Sequence, residues 1–89
     1  MPRIYFTPNL TRHIGDLNGA APGRTVRDAL DAHLAGNLFA KSYILDDQGA
    51  LRRHMNIMVS GSPLKDRLRL SDPVAEDGEI FVLQALSGG

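Results

Sequence analysis

One amphipathic helix set among four or five short strands predicts an α+β domain, with the helix laid over one face of a mixed sheet. Three observations carry that expectation. A helical period is sustained only at residues 25–34, where Val26, Ala29, Leu30, His33 and Leu34 recur at i, i+3, i+4, i+7 and i+8. The other apolar runs are short, rich in Val, Ile, Phe and Tyr, and bounded by Gly, Pro, Asn and Asp. The final run, 80–86, is a strand-like stretch that gives way to Ser87-Gly88-Gly89.

In chain order, Arg3-Ile4-Tyr5-Phe6 is an aromatic and β-branched strand closed by the turn residues Thr7-Pro8-Asn9. Residues 10–14 fit either the second strand of a hairpin or a loop. The turn dipeptides Asn18-Gly19 and Pro22-Gly23 mark 10–23 as loop with some extended character. Thr25 is a good N-cap for the one clear helix, with Asp28 as the acid three residues on and Gly36-Asn37 as the stop. Residues 38–45 are apolar enough to pack yet show no clean period. After the turn at 46–49, residues 51–59 read as a strand, with Leu51, Met55, Ile57 and Val59 on one side and Asn56 and Met58 on the other. Residues 60–63 turn the chain. Residues 64–70 alternate loosely, which places Leu68 and Leu70 inward and Arg67 and Arg69 outward. Glu76-Asp77-Gly78-Glu79 introduces the last strand.

Size and charge narrow the function. At 89 residues the chain forms one domain, and domains of this size bury only about 60–65% of their unfolded surface. Hydrophobic content of 43% with 22% charged residues marks a globular chain, not a disordered one. Ten basic and ten acidic side chains cancel, so no general electrostatic case exists for nucleic acid or an anionic membrane as partner. There is no cysteine, which excludes disulfides, a thiol nucleophile and thiolate metal sites. No stretch approaches the roughly 18 apolar residues of a membrane span, and no apolar leader follows Met1. The expectation is a cytoplasmic protein, monomeric when free.

A helix of ten residues is about 15 Å long and cannot cover both faces of a sheet. With Ile80 and Val82 turned to the helix, Phe81, Leu83 and Ala85 face away, and Met58 joins them from the neighbouring strand. An exposed apolar patch at Met58, Phe81 and Leu83, continued by Leu86, is therefore expected to dock a partner. The chain divides into a folded body at 1–85 and a flexible tail at 86–89. Read as a C-terminus, four extended residues reach roughly 13 Å at about 3.3 Å each. Gly88 and Gly89 lack Cβ atoms and can thread a channel too narrow for other residues. Small terminal residues are common and by themselves mean little. Beside a docking patch they suit an end that is inserted into another protein and modified there.

Three stretches together resemble the ubiquitin-like β-grasp sulfur carriers of the MoaD and ThiS group, CysO-like members above all. They are residues 53–59 (Arg-His-Met-Asn-Ile-Met-Val), residues 73–80 (Pro-Val-Ala-Glu-Asp-Gly-Glu-Ile) and residues 83–89 (Leu-Gln-Ala-Leu-Ser-Gly-Gly). Gln84 stands where the family often has proline, Ser60-Gly61 where it has Asn-Gly or Asn-Asp, and Ser87 where it has alanine. The resemblance implies a β-grasp fold with a mixed four- to five-stranded sheet and one main helix. It also implies that Gly89, with Gly88 before it, is adenylated by a ThiF/MoeB-like adenylating enzyme that uses ATP and Mg. A sulfur donor then displaces AMP to leave a thiocarboxylate, which a sulfur-accepting biosynthetic enzyme consumes. The carrier itself binds no cofactor and is not an enzyme. The pathway implied is of the molybdopterin, thiamin or cysteine type.

Other constellations carry less. His13, His33 and His54 lie on three separate elements without metal-ligand spacing, so no metal site and no catalytic residue are expected. Residues 60–62 form a turn, not a nucleophile elbow or phosphate loop. Residues 52–54 and Lys65, Arg67 and Arg69 are short basic clusters, either solvated surface or a match for an acidic rim on a partner. The competing hypothesis is a ubiquitin-like modifier whose tail joins target lysines, or an interaction module with no chemistry at its end.

Overall fold

The computed structural model describes residues 1–85; Leu86, Gly88 and Gly89, singled out above, lie outside the described residues. Eight elements follow one another: β1 (Arg3–Phe6), α1 (Pro8–Ile14), β2 (Gly19–Ala20), α2 (Val26–His33), α3 (Leu38–Ile44), β3 (Met55–Val59), β4 (Ser62–Pro63) and β5 (Glu79–Gln84). The strands form one sheet in the order β2-β1-β5-β3-β4. β5 lies at its centre, parallel to β1 and antiparallel to β3. The sheet is thus mixed and five-stranded.

Alternation along the three inner strands decides which face is covered. Ile4 and Phe6, Met55 and Ile57, and Ile80 and Val82 are all buried, and they share one cluster with Leu10 and Ile14 of α1, Val26, Ala29 and Leu30 of α2, and Ala40 and Ile44 of α3. All three helices therefore pack on the same side. Each is short, and each contributes a pair at i, i+4: Leu10 with Ile14, Val26 with Leu30, Ala40 with Ile44. That spacing is the minimum needed to turn one stripe inward.

This arrangement keeps the expected class and corrects its details. The cover is three helices, not one main helix. Pro8, read as a turn residue, occupies the first turn of α1, where its missing N–H costs nothing. Residues 38–44 are helical because the Asn37 side chain accepts from the Ala40 amide at 3.1 Å and caps α3. Their apolar period is blurred because Leu38 and Phe39 stay exposed, at 77% and 64%. The hairpin partner of β1 is β2, paired through Arg3 with Ala20 and Ile4 with Gly19, and not residues 10–14.

The alternation expected at 64–70 also fails. Past the short β4 the segment is a run of turns, in which Leu68 is 73% exposed and Arg67 is half-buried. Two carboxylates hold these turns by accepting backbone amides. Asp72 takes those of Lys65 and Asp66, and Asp66 takes those of Leu68 and Arg69 together with the Ser71 hydroxyl. Only Leu70 is buried, at a φ of 55°.

Candidate functional site

β5 carries the site because each of its two faces serves a different purpose. Ile80 and Val82 anchor the strand in the core, while Glu79, Phe81 and Leu83 project from the open face. Register then fixes the neighbours. Phe81 lies opposite Tyr5 of β1 on one side and Met58 of β3 on the other. The Tyr5 and Phe81 ring centroids are 6.0 Å apart at an interplanar angle of 34°, a tilted aromatic contact. Leu83 lies opposite Asn56, one row nearer the strand's end.

The structure thus brings Met58, Phe81 and Leu83 onto one face, as expected from their parity. Phe81 is the most exposed of the three at 40%, and Met58 and Leu83 are half-buried. Tyr5 completes the row and was not anticipated. Its parity in Arg3–Phe6 was readable, but its position beside Phe81 depends on the parallel β1/β5 pairing, which a single sequence does not specify. Aromatic and thioether side chains on a sheet face that no helix among the described residues covers form a surface suited to an apolar partner.

At the end of β5 the backbone is held firmly. Met55 pairs with Gln84, and the next amide, that of Ala85, donates to the His54 carbonyl at 2.8 Å. That carbonyl belongs to a turn secured from a distance by Arg67. One guanidinium nitrogen donates to the carbonyls of Arg52, Arg53 and Met55 at 2.9, 3.3 and 2.8 Å, and another to Asn56 Oδ1 at 3.2 Å. The Leu51 amide returns to the Arg67 carbonyl at 2.8 Å. Arginine suits this task because its planar fork presents several donors at fixed angles. The end of β5 is therefore fixed as far as Ala85.

The remaining polar side chains are occupied structurally. His33 stacks on Phe6, and its Nε2 meets the Leu17 carbonyl at 2.5 Å. His13 stacks on Tyr43 across α1 and α3, and His54 is exposed in the turn before β3. Among the described residues no group of three His, Cys, Asp or Glu is placed to hold a metal ion. An open cleft of about 430 Å³ lies between Val59, Pro63, Lys65 and Pro73. Asp66 and Asp72 line it too, but they are committed to the turns described above. Hydrogen bonds from the Ser71 side chain, and then from the Arg69 backbone amide, hold the Asp66 carboxyl below the ordinary carboxylate value. No helix among the described residues is long and apolar enough to cross a membrane.

No protein-family model matches the sequence, and no curated protein matches it at a significant level. Solved structures do. SAMP1 from Haloferax volcanii is 26% identical, with 98% of this chain and 97% of that one covered at a TM-score of 0.75. In the BexX/CysO complex of Amycolatopsis orientalis, a chain 21% identical is matched over 100% of both chains at a TM-score of 0.82. CysO of Mycobacterium tuberculosis, described as an antigen, is 20% identical over 97% of this chain and 100% of that one, at a TM-score of 0.79. The fold is the ubiquitin-like β-grasp, and these neighbours are small carrier and modifier proteins of the MoaD and ThiS type.

Proposed function

We propose that this chain is a sulfur carrier that delivers Gly89 into the active site of an adenylating enzyme. The observation that supports this most is the seating of β5. The strand is hydrogen-bonded on both sides, fixed at Ala85, and followed at once by Leu86-Ser87-Gly88-Gly89. The likeness to CysO over the whole chain supports the same reading.

The chemistry divides between carrier and partner. A free α-carboxylate, with a pKa of about 3.3–3.7, is ionised near neutrality and a poor electrophile. In the proposed reaction a carboxylate oxygen of Gly89 attacks the α-phosphorus of ATP and pyrophosphate leaves. Hydrosulfide then adds to the acyl carbon and AMP departs, which leaves a thiocarboxylate. The partner, a ThiF/MoeB-like enzyme with Mg, supplies the charge stabilisation. A sulfur-accepting biosynthetic enzyme later takes the sulfur, in a molybdopterin-, thiamin- or cysteine-type pathway. The body contributes the docking row of Tyr5, Phe81 and Met58 with Leu83, and the fixed exit.

Intact mass after incubation with ATP, Mg, sulfide and the cognate adenylating enzyme tests the proposal. A gain of about 16 Da, one oxygen exchanged for sulfur, is expected on the full chain and none on a chain lacking Gly89. An unchanged mass on both would overturn it. A second reading, a protein modifier, draws on the likeness to SAMP1, known from other structures as small archaeal modifier protein 1. Adducts on target lysines in place of the mass gain would favour it.

A further inference from the structure

A formal net charge of zero conceals a polarity along β5. Glu76, Asp77 and Glu79 lie at the strand's beginning, and Arg52, Arg53, His54 and Arg67 surround its exit. The basic residues come from two separate stretches of sequence, and the reach of Arg67 onto the 52–55 turn brings them together. Ion pairs among the described residues join Met1 to Glu76 and join Asp31 to both Arg27 and Lys41. None involves the four groups at the exit. Arg52 and Arg67 spend donors on carbonyls instead, Arg52 through Nε to Ser42 at 2.7 Å. Carbonyl partners fix a guanidinium in place without neutralising it. Arg52 and Arg67 are thus held in position without a carboxylate partner among the described residues, and Arg53 and His54 stand exposed on the turn beside them.

We infer that Arg52, Arg53 and Arg67, with the imidazole of His54 beside them, form a basic collar at the end of β5 that docks an acidic rim on the protein receiving the chain's end. The inference rests on the delivery of Gly89 proposed above and adds the chemistry of the receiving surface. Positive charge gathered at this end of β5 orients the carrier before the apolar row makes contact, so its effect falls on encounter and not on the chemical step.

ATP–pyrophosphate exchange by the cognate adenylating enzyme, followed against carrier concentration, tests it. Arg53 and His54 are exposed, so Arg53→Glu and His54→Glu alter charge without opening the body. Each is expected to raise KM about 10-fold at low ionic strength while kcat stays within about 2-fold, and the difference should shrink as salt is added. Asp77→Lys, at the far end of β5, serves as the control and should leave both constants unchanged. Exchange that proceeds with equal KM in the wild type and both collar variants overturns the collar and leaves the delivery of Gly89 standing. Absence of exchange with wild-type carrier overturns the delivery itself. Tight binding of a single-stranded oligonucleotide that these substitutions abolish, with exchange kinetics unmoved, would assign the cations to nucleic acid and also overturn the collar.

Discussion

Replacing Arg67 with alanine should loosen the exit of β5 before it loosens anything else. The guanidinium donates four hydrogen bonds, to three backbone carbonyls and to Asn56 Oδ1. Hydrogen bonds from a charged donor contribute about 1.5–3 kcal/mol each when well shielded. Arg67 is only half-buried, so water can replace much of what is lost and the four do not add. A total of about 2–3 kcal/mol is expected, against roughly 4–13 kcal/mol of stability for a domain of this length. Urea denaturation should show the midpoint falling with the m-value unchanged. Arg67→Lys keeps the charge but has no planar fork, and should recover less than half of the loss. Native-state hydrogen exchange then localises the effect: the Ala85 amide should lose protection beyond the global change, and the Val82 amide should not. A loss under about 0.5 kcal/mol, or full rescue by lysine, would refute the claim that the fork holds this turn.

Three further outcomes follow from the same geometry. Phe81 is 40% exposed, which for a ring of about 200 Å² leaves about 80 Å² to bury, or about 2 kcal/mol on docking. Phe81→Ala should therefore weaken carrier binding to the adenylating enzyme up to roughly 30-fold, and an unchanged titration curve with a folded variant counts against docking there. Ser60 holds a φ of 47° while its Oγ accepts the Glu79 amide at 3.2 Å. Ser60→Gly relieves strain but loses that bond, and should fall within about 0.5 kcal/mol of the wild type in thermal unfolding, whereas Ser60→Ala keeps the strain and should lose about 1 kcal/mol. The folded value of Asp66 is depressed, so its stabilising contribution is present above the ordinary 3.8 and lost as pH falls through the folded value. Asp66→Asn should be less stable at neutral pH and show a shallower decline on acidification; parallel stability–pH curves would contradict the assignment.

The sequence made plain whatever periodicity governs locally. The stripe in α2 and its Thr25 cap appear as read, with the Thr25 hydroxyl accepting the Asp28 amide at 3.1 Å. The parity of β5 put Phe81 and Leu83 opposite Ile80 and Val82. What stayed hidden depended on contacts distant along the chain. Leu10 and Ile14 already had helical spacing and Pro8 a helix-start position, but seven residues offer too few turns for a period to stand out. Leu38 and Phe39 misled because apolar residues on a solvent face obscure the buried stripe. Arg67 was assigned outward by alternation, yet its segment is no strand, and its role lies in carbonyls 12 to 15 residues away. The anchoring of the end of β5 was therefore the least readable part.

Placing β5, the last strand among the described residues, between β1 and β3 has a consequence for biosynthesis. A ribosome that stalls before residue 79 releases a chain whose β1 and β3 edges have nothing to join them. Such a fragment lacks Ile80 and Val82 from its core, leaves both strand edges unpaired and is open to proteolysis. A complete sheet therefore requires a chain translated through to Gln84.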